Sequence, residues 1–135
     1  VDLLNRHPQP CATTLGQTLI TVDQEVGRAL STFVAKPEFC HSKIIVQGGF
    51  LTGMVDTVMT QALFAIMGLD FVVPTLELKV SFLAPANPGI LRGEGEVLRH
   101  GKHTAFLEGT LFNEDGAKLV RASATVRIFP KPPRN

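Results

Sequence analysis

Residues 49–67 have the sequence GFLTGMVDTVMTQALFAIM, and this stretch decides the fold. It contains no proline, it is rich in helix-forming residues, and Gly68 follows it where a glycine commonly ends a helix. Apolar side chains surround almost the whole circumference of the predicted helix, which is typical of a helix buried by its neighbours. We therefore expect one long central helix enclosed by the rest of the chain.

The sequence on both sides of this helix predicts antiparallel strands. Before it, two β-rich runs flank a polar segment that ends in Gly27, which favours a hairpin. After it, apolar and polar residues alternate with period two, and recurring turn sequences separate the strands that follow. The predicted strands are 18–22, 28–35, 75–83, 90–99, 104–112 and 119–129, and residues 36–46 are predicted to form an irregular loop.

Small residues within the later strands predict a sheet that bends closely around the helix. Gly93 and Gly95 share one face of their strand, and Gly109, Ala122 and Ala124 lie in the strands that follow. The fold class is therefore α+β, with a long central helix wrapped by a curved antiparallel β-sheet. We expect a single domain over residues 1–135 with a core from about 16 to 129. The predicted solvated tail contains Pro130, Pro132, Pro133 and Arg134.

The composition and charge of the chain limit the classes of function that it can have. Thirteen Lys and Arg residues nearly balance twelve Asp and Glu residues, so no global field favours binding to nucleic acid or to an anionic membrane. Residues 50–69 are nearly long enough to span a membrane. Asp56 and other polar residues interrupt this apolar stretch, which favours a buried helix over a membrane span. Residues 1–10 lack the apolar core of a secretory signal. Cys11 and Cys40 are predicted to be reduced thiols, which suits a cytoplasmic location.

Asp56 is the most informative residue of the chain. It lies near the middle of the most apolar helix, and no Lys or Arg occurs between residues 50 and 69 to pair with it. A buried, unpaired carboxylate is disfavoured unless it becomes neutral or faces a polar cavity. The alternative is a carboxylate at a position facing solvent or another subunit.

Two threonines share the helix face of Asp56. Thr52 and Thr60 each lie four residues from it, so that a narrow polar stripe crosses an apolar helix. Threonines buried in helices commonly bond to carbonyl groups of their own helix, which is the alternative interpretation. The alignment with Asp56 favours a functional role.

The start of the same helix predicts a carbonyl-binding site. Gln47, Gly48 and Gly49 place free backbone N–H groups at the positive end of the helix dipole, where no glycine side chain blocks a ligand. Glycine pairs also form plain turns, but here Asp56 follows about two turns later on the continuous helix.

N–H donors and a nearby carboxylate are the minimum equipment for acyl transfer to water. The donors stabilise the developing oxyanion, and the carboxylate attacks the carbonyl or deprotonates water. The sequence has no metal-ligand spacing among its four histidines, no Walker-type loop, no Gly-x-Ser-x-Gly elbow and no Cys-x-x-Cys motif. We expect no metal and no cofactor.

Residues 38–41 (EFCH) and 46–56 (VQGGFLTGMVD) resemble the active-site segment of the PaaI-like acyl-CoA thioesterases. These are hotdog-fold enzymes of the 4-hydroxybenzoyl-CoA thioesterase superfamily, and the resemblance extends from about residue 16 to residue 129. It implies a hotdog fold and a homodimer whose sheets join edge to edge, with two active sites at the interface, and the assembly can extend to a dimer of dimers.

The resemblance also assigns site residues. Asp56 matches the catalytic carboxylate of the family, and Gly48 matches the residue whose N–H polarises the thioester carbonyl, with Gly49 beside it. Thr60 and Thr75 match positions that orient water or the acid. Arg99 and Lys102 lie near the region where relatives hold the phosphates of coenzyme A, although a solvated turn is an equal alternative.

Three positions depart from the family pattern. Gln47 stands where histidine is usual, His41 where asparagine is usual, and Ile44 where glycine is usual. Glutamine still donates and accepts hydrogen bonds. A β-branched residue resists a positive φ, so Ile44 predicts a different loop path. His41 is either a proton shuttle or orienting donor, or has no role in the reaction.

The leading hypothesis is hydrolysis of an acyl-CoA thioester by Asp56, acting as nucleophile or general base, with the Gly48 N–H polarising the carbonyl and Gln47, His41, Thr60 and Thr75 positioning water and substrate. The alternative is a non-catalytic acyl-CoA or lipid-binding hotdog protein. Hydration of an enoyl thioester fits less well, because it needs a paired His and carboxylate at another spacing. The choice between aromatic and aliphatic acyl groups stays open.

Overall fold

The computed structural model describes residues 1–132, so Pro133 and Arg134 of the predicted tail lie outside the described residues. The helices are α1 (Asp2–Arg6), α2 (Pro10–Thr14) and α3 (Gly48–Met67). The strands are β1 (Thr18–Asp23), β2 (Arg28–Ala35), β3 (Cys40–Ser42), β4 (Ile45–Val46), β5 (Phe71–Val72), β6 (Thr75–Phe82), β7 (Gly89–His100), β8 (Thr104–Phe112), β9 (Lys118–Arg127) and β10 (Phe129–Pro130).

Six strands form one antiparallel sheet in the order β1-β2-β7-β8-β9-β6. The hairpin of β1 and β2 and the meander from β7 to β9 agree with the predicted strands. Strand β6 follows the helix in the chain but pairs with β9, so it forms one edge of the sheet while β1 forms the other. Among residues 1–132, neither edge has a further strand beside it, so both leave backbone groups without a strand partner.

Helix α3 packs across the sheet against β2, β7 and β8. Glycines permit this close approach, as the sequence predicted. A Cβ atom on Gly95 would lie 2.4 Å from the carbonyl oxygen of Val58, and one on Gly109 would lie 2.7 Å from Cγ of Met59. The residues of α3 that point to the sheet form the centre of the core, which confirms the predicted α+β architecture of a long helix on an antiparallel sheet.

The prediction that α3 is enclosed on all sides is only partly correct. Its sheet-facing residues, such as Met54 and Val58, are fully buried, whereas Thr52, Asp56 and Thr60 on another face are half-buried. The helix begins at Gly48, one residue before the predicted start, and it ends at Met67. The next residue, Gly68, caps it with a φ of 81° and donates its N–H to the Phe64 carbonyl at 2.8 Å. A six-stranded sheet covers one side of a helix, and this leaves the polar stripe accessible.

Three other local predictions were incomplete. The segment predicted as a loop over 36–46 contains a short 3-10 turn at Pro37–Phe39 and the small hairpin of β3 and β4. The last predicted strand ends at Arg127, and Phe129–Pro130 pairs instead with β5, so Pro130 is not part of a free tail. Residues 1–14 form two short helices that the sequence did not indicate.

Candidate active site

The side chains of Asp56 and Thr75 meet where α3 passes the start of β6. The hydroxyl of Thr75 donates a hydrogen bond to Oδ1 of Asp56 at 3.1 Å. Thr75 pairs with the buried Val126 in the sheet, which places its side chain on the helix-facing side. A long helix and an edge strand therefore bring together two residues that are nineteen positions apart in the chain.

The environment of Asp56 disfavours its charged form. Burial raises the pKa of the Asp56 carboxyl above its ordinary value, and the hydrogen bond from Thr75 partly offsets this increase. Within residues 1–132, no lysine, arginine or histidine forms an ion pair with it. A carboxylate whose pKa is raised by desolvation is a better proton acceptor than an exposed aspartate, which is the property that a general base needs.

Asp56, Thr60 and Thr75 line one cavity of about 720 Å³. This volume is in the range of small-molecule sites. Much of the remaining wall is apolar and includes Phe64 and Phe71. The structure thus brings together three of the predicted site residues around a space large enough for a ligand.

The threonines of the polar stripe bond to their own helix. Thr52 donates to the Gly48 carbonyl at 2.8 Å, and Thr60 donates to the Thr57 carbonyl at 2.9 Å. The alternative interpretation, that these threonines bond to carbonyl groups of their own helix, is therefore correct for the hydroxyl protons of both residues. The oxygen of Thr60 retains lone pairs that can accept a hydrogen bond from a ligand or water in the cavity.

The start of α3 is held in place by an aromatic contact and a backbone bond. The rings of Phe39 and Phe50 stack with centroids 4.2 Å apart, and the N–H of Gln47 donates to the Phe39 carbonyl at 2.8 Å. Gln47 is the N-cap residue, and its exposed side chain makes no capping bond. Gly48 and Gly49 therefore open the helix with N–H groups that have no acceptor among residues 1–132.

His41 and Gly48 line a second cavity, of about 390 Å³, at this end of α3. The ring of Phe82 covers Gly48 so closely that an added Cβ atom would lie 2.9 Å from its Cζ. Ile44 is exposed and has no positive φ, so the turn between β3 and β4 does not need the glycine usual in the family. Two more of the predicted residues thus meet, but at a different place from Asp56.

Gly48 and Asp56 do not meet within one chain. Eight residues of continuous helix separate them, which corresponds to about 12 Å along the axis. A carbonyl bound at the Gly48 N–H is therefore out of reach of the Asp56 carboxylate of the same chain, because hydrogen-bond or attack distances are about 3 Å.

Arg99 and Lys102 lie at the turn between β7 and β8, and both are exposed. Two contacts show that the turn is at the same end of the sheet as Thr75. Thr104, just after the turn, pairs with Arg127, and the N–H of Arg127 donates to the carbonyl of Pro74, which precedes Thr75. Neither side chain lines the Asp56 cavity or takes part in an ion pair in the part of the chain that the structure describes.

Several residues of the Asp56 cavity escaped the sequence analysis. Leu3, Leu4 and His7 come from the N-terminal segment, and Lys131 comes from the other end of the chain. No pattern in the sequence indicated them, because each lies far from Asp56 in the chain and is in or next to a short element. Phe82 was recognised as a strand residue, but its contact with Gly48 depends on tertiary structure.

Comparison with known proteins supports the class that this fold and site define. Residues 45–120 match the family model of the Thioesterase superfamily. A protein of Saccharolobus solfataricus, named an esterase by inference, is 33% identical to this chain over 98 residues. The match covers 70% of this chain and 67% of the relative. The chain belongs to the thioesterase superfamily, and it is a hydrolase of hotdog fold.

Two solved structures resemble the chain over most of its length. A phenylacetic acid degradation-related protein of Ralstonia eutropha, named a thioesterase by inference, is 36% identical, with a TM-score of 0.80 over 89% of this chain and 91% of that one. The PaaI protein of the E. coli phenylacetic acid degradation operon is 19% identical, with a TM-score of 0.84 over 95% and 90%. The chain therefore has the fold of PaaI, as the sequence resemblance implied.

Proposed function

We propose that this protein hydrolyses acyl-CoA thioesters with Asp56 as the central catalytic group. The observation that supports this most strongly is the half-buried Asp56 carboxyl, which has a raised pKa, accepts a hydrogen bond from Thr75 and lines a cavity of ligand size. A partly buried carboxylate lowers the stability of the fold, which favours a functional reason for its presence. The apolar wall of the cavity beside it suits an acyl group.

We propose that each active site combines Gly48 of one subunit with Asp56 of a second copy. The separation of about 12 Å within one helix supports this arrangement over a site built from a single chain, because a two-fold axis can place the start of one α3 beside the middle of the other. Strand β6 offers a suitable edge for this association. Its residues Leu76 and Phe82 and the following Leu83 are 63%, 54% and 55% exposed.

The proposed reaction begins with the thioester carbonyl bound at the Gly48 N–H at the start of α3, with Gly49 leaving room beside it. Two routes are possible from here. In the first case Asp56 removes a proton from a water molecule, and the oxygen of that water adds to the carbonyl carbon. In the second case the Asp56 carboxylate itself adds to the carbonyl carbon. The C–S bond then breaks. In the first case the departing sulfur of coenzyme A takes the proton that Asp56 removed from water, and in the second case coenzyme A departs as the thiolate and is protonated by solvent. In the second case water hydrolyses the resulting anhydride, so both routes give the free acid.

The remaining predicted residues take supporting roles in this proposal. Thr75 orients the Asp56 carboxylate, and Thr60 accepts a hydrogen bond from water or substrate. Gln47 and His41, which are exposed near Gly48, contact the thioester side of the substrate. Arg99 and Lys102 bind phosphates of coenzyme A. Protein side chains and backbone supply every step, so the proposal needs no cofactor, and the free thiols of Cys11 and Cys40 suit the cytoplasm.

The activity is tested by thiol release from a panel of aliphatic and aromatic acyl-CoA thioesters, with wild type and Asp56→Asn compared. We expect the wild type to release thiol and the variant to lose at least 99% of that rate, because the catalytic carboxylate is gone. Binding of acyl-CoA without turnover would favour the non-catalytic alternative. Equal rates in the two proteins would remove Asp56 from the mechanism.

The shared site is tested with a heterodimer of Asp56→Asn and Gly48→Val subunits, isolated through two different affinity tags. In a two-fold dimer one site receives both substitutions and the other receives neither, so the heterodimer should keep roughly half of the wild-type activity although both homodimers are inactive. An inactive heterodimer would show that each site draws both residues from one chain. Analytical ultracentrifugation checks the dimer itself.

A further inference from the structure

The cavity beside Asp56 is closed on one side by the N-terminal helix. Leu3 and Leu4 of α1 line it together with Phe64 of α3 and Phe71 of β5. Leu4 is also packed against the core, whereas Leu3 is 59% exposed. The segment that carries α1 therefore supplies part of the apolar wall of the cavity that Asp56 and Thr75 also line.

A pair of hydrogen bonds holds α1 in this position. The side-chain amide of Asn5 donates to the Leu19 carbonyl at 2.9 Å and accepts from the Leu19 N–H at 3.0 Å. The side chain thus pairs with the free edge of β1 in the way that a neighbouring strand would. Because Asn5 is adjacent to Leu4 in the helix, this two-point contact fixes the wall of the cavity.

The length of the cavity follows from its residues on α3. Asp56, Thr60 and Phe64 all line it, and eight residues of helix correspond to about 12 Å. An extended chain advances about 1.2 Å per bond, so about ten bonds fit between the carboxylate and the far aromatic ring. A phenylacetyl group would fill only the part nearest Asp56.

We propose that this cavity binds a medium-length aliphatic acyl chain of about eight to ten carbons, and that Leu3 and Leu4 on α1 set its length. The proposal rests on the proposed thioesterase function and adds to it a substrate class and a specificity-determining segment. The acyl chain runs along α3 from Asp56 towards Phe64, with α1 over its distal half.

Leu3→Trp tests this proposal in two independent ways. The larger side chain fills the distal part of the cavity, so kcat/KM for decanoyl-CoA relative to butyryl-CoA should fall by about tenfold or more. The chain has no Trp or Tyr, so the new residue is also the only strong fluorophore. Its emission should move to shorter wavelength when the non-hydrolysable thioether S-decyl-CoA is added, but not when free coenzyme A is added.

Ile90→Trp is the matched control. Ile90 is 52% exposed at the start of β7, at the opposite end of the sheet from Thr75, and neither the kcat/KM ratio nor its emission should respond. Leu3→Ala provides a second variant that removes the contact without adding volume, and it should lower the same ratio several-fold, because less apolar surface of the acyl chain is buried.

The outcomes separate this proposal from the proposed function. Absence of thiol release from every substrate, together with the emission shift, would overturn the activity and support the acyl pocket. Full turnover with an unchanged kcat/KM ratio and unchanged emission in Leu3→Trp would overturn the pocket and keep the activity. The pocket is also excluded if free coenzyme A shifts the emission as strongly, or if S-decyl-CoA binds the wild type no more tightly than free coenzyme A in calorimetry.

Discussion

The hydroxyl of Thr75 donates a hydrogen bond to Oδ1 of Asp56 at 3.1 Å, and this contact lowers a carboxyl pKa that burial raises. Loss of the donor in Thr75→Val should raise the pKa of Asp56 further, because the charged form loses its hydrogen bond. The carboxylate must be deprotonated to act, so the acidic limb of log kcat/KM should move to higher pH.

The pH profile of thiol release measures this shift. Thr57→Val is the control, because Thr57 is half-buried next to Asp56 but donates to the Gly53 carbonyl at 2.7 Å. Its acidic limb should coincide with that of the wild type. An unmoved limb in Thr75→Val would mean that the hydrogen bond does not tune Asp56 in the working enzyme.

Asp56→Asn should be more stable than the wild type at neutral pH. The pKa of Asp56 is raised in the folded state, so the folded protein binds this proton more tightly than the unfolded chain. The wild type therefore loses stability as the pH rises from the unfolded-state pKa through the folded-state pKa, and the variant does not. The advantage should disappear at pH values below the unfolded-state pKa.

Urea unfolding at a series of pH values tests this prediction. Asp115→Asn removes a carboxylate from an exposed turn and corrects for the general effect of one lost negative charge. A stability difference between Asp56→Asn and the wild type that does not change with pH would contradict the linkage.

Gly48→Ala should lower kcat/KM by about tenfold or more. The added Cβ atom would lie 2.9 Å from Cζ and 3.1 Å from Cε1 of Phe82, so either the ring or the start of α3 must shift. A displacement of about 1 Å can cost 100-fold in rate. In the double variant with Phe82→Ala, which removes the clash, part of the activity should return if the steric explanation is correct.

Gly53→Ala is the matched control for Gly48→Ala. A Cβ atom on Gly53 would meet only Cδ1 of Leu15, at 3.7 Å, which is an ordinary contact. Alanine also favours helix over glycine by about 1 kcal/mol, so this variant should be at least as stable as the wild type. Steady-state thiol release and thermal unfolding measure the pair.

Gly95→Ala should destabilise the fold by about 3 kcal/mol or more, because overpacking against backbone leaves no flexible group that can move away. The new Cβ atom would lie 2.4 Å from the carbonyl oxygen and 2.7 Å from the carbonyl carbon of Val58 in α3. Gly101→Ala is the control, since its nearest neighbour would be the Thr104 carbonyl oxygen at 3.8 Å. Chemical denaturation of both variants measures the difference in stability. Equal unfolding midpoints would show that α3 can move away from the sheet at little cost in stability.

Arg99→Ala and Lys102→Ala should each raise KM for acyl-CoA by roughly tenfold, because a hydrogen bond to a charged phosphate contributes about 1.5 kcal/mol. Neither substitution should change KM for the corresponding acyl-N-acetylcysteamine thioester, which lacks the nucleotide. Lys118→Ala, at the start of β9 and therefore at the other end of the sheet, is the control. An equal effect on both substrates would place the two residues outside a phosphate site.

The long-range pattern of the sequence predicted most of the sheet. The period-two strands and their turns agree with the structure to within about two residues, because alternation follows directly from which face is buried. Helix α3 was predicted from its lack of proline, its helix-forming residues and the glycine that follows it, and its apolar residues on all sides indicated that it is buried. The short elements α1, α2, β5 and β10 were not predicted, because segments of two to five residues carry no periodicity and form only through tertiary contacts.

The sequence by itself singled out Asp56 as the catalytic candidate, because an unpaired carboxylate within an apolar helix is disfavoured unless it becomes neutral or faces a polar cavity. It also indicated the helix start at Gly48, where the lack of side chains and the free N–H groups are properties of the residues themselves. Only the tertiary structure decided which residues surround Asp56. The contact with Thr75, the wall formed by Leu3 and Leu4 and the ring of Phe82 over Gly48 all join distant parts of the chain, and local sequence carries no information about such distances.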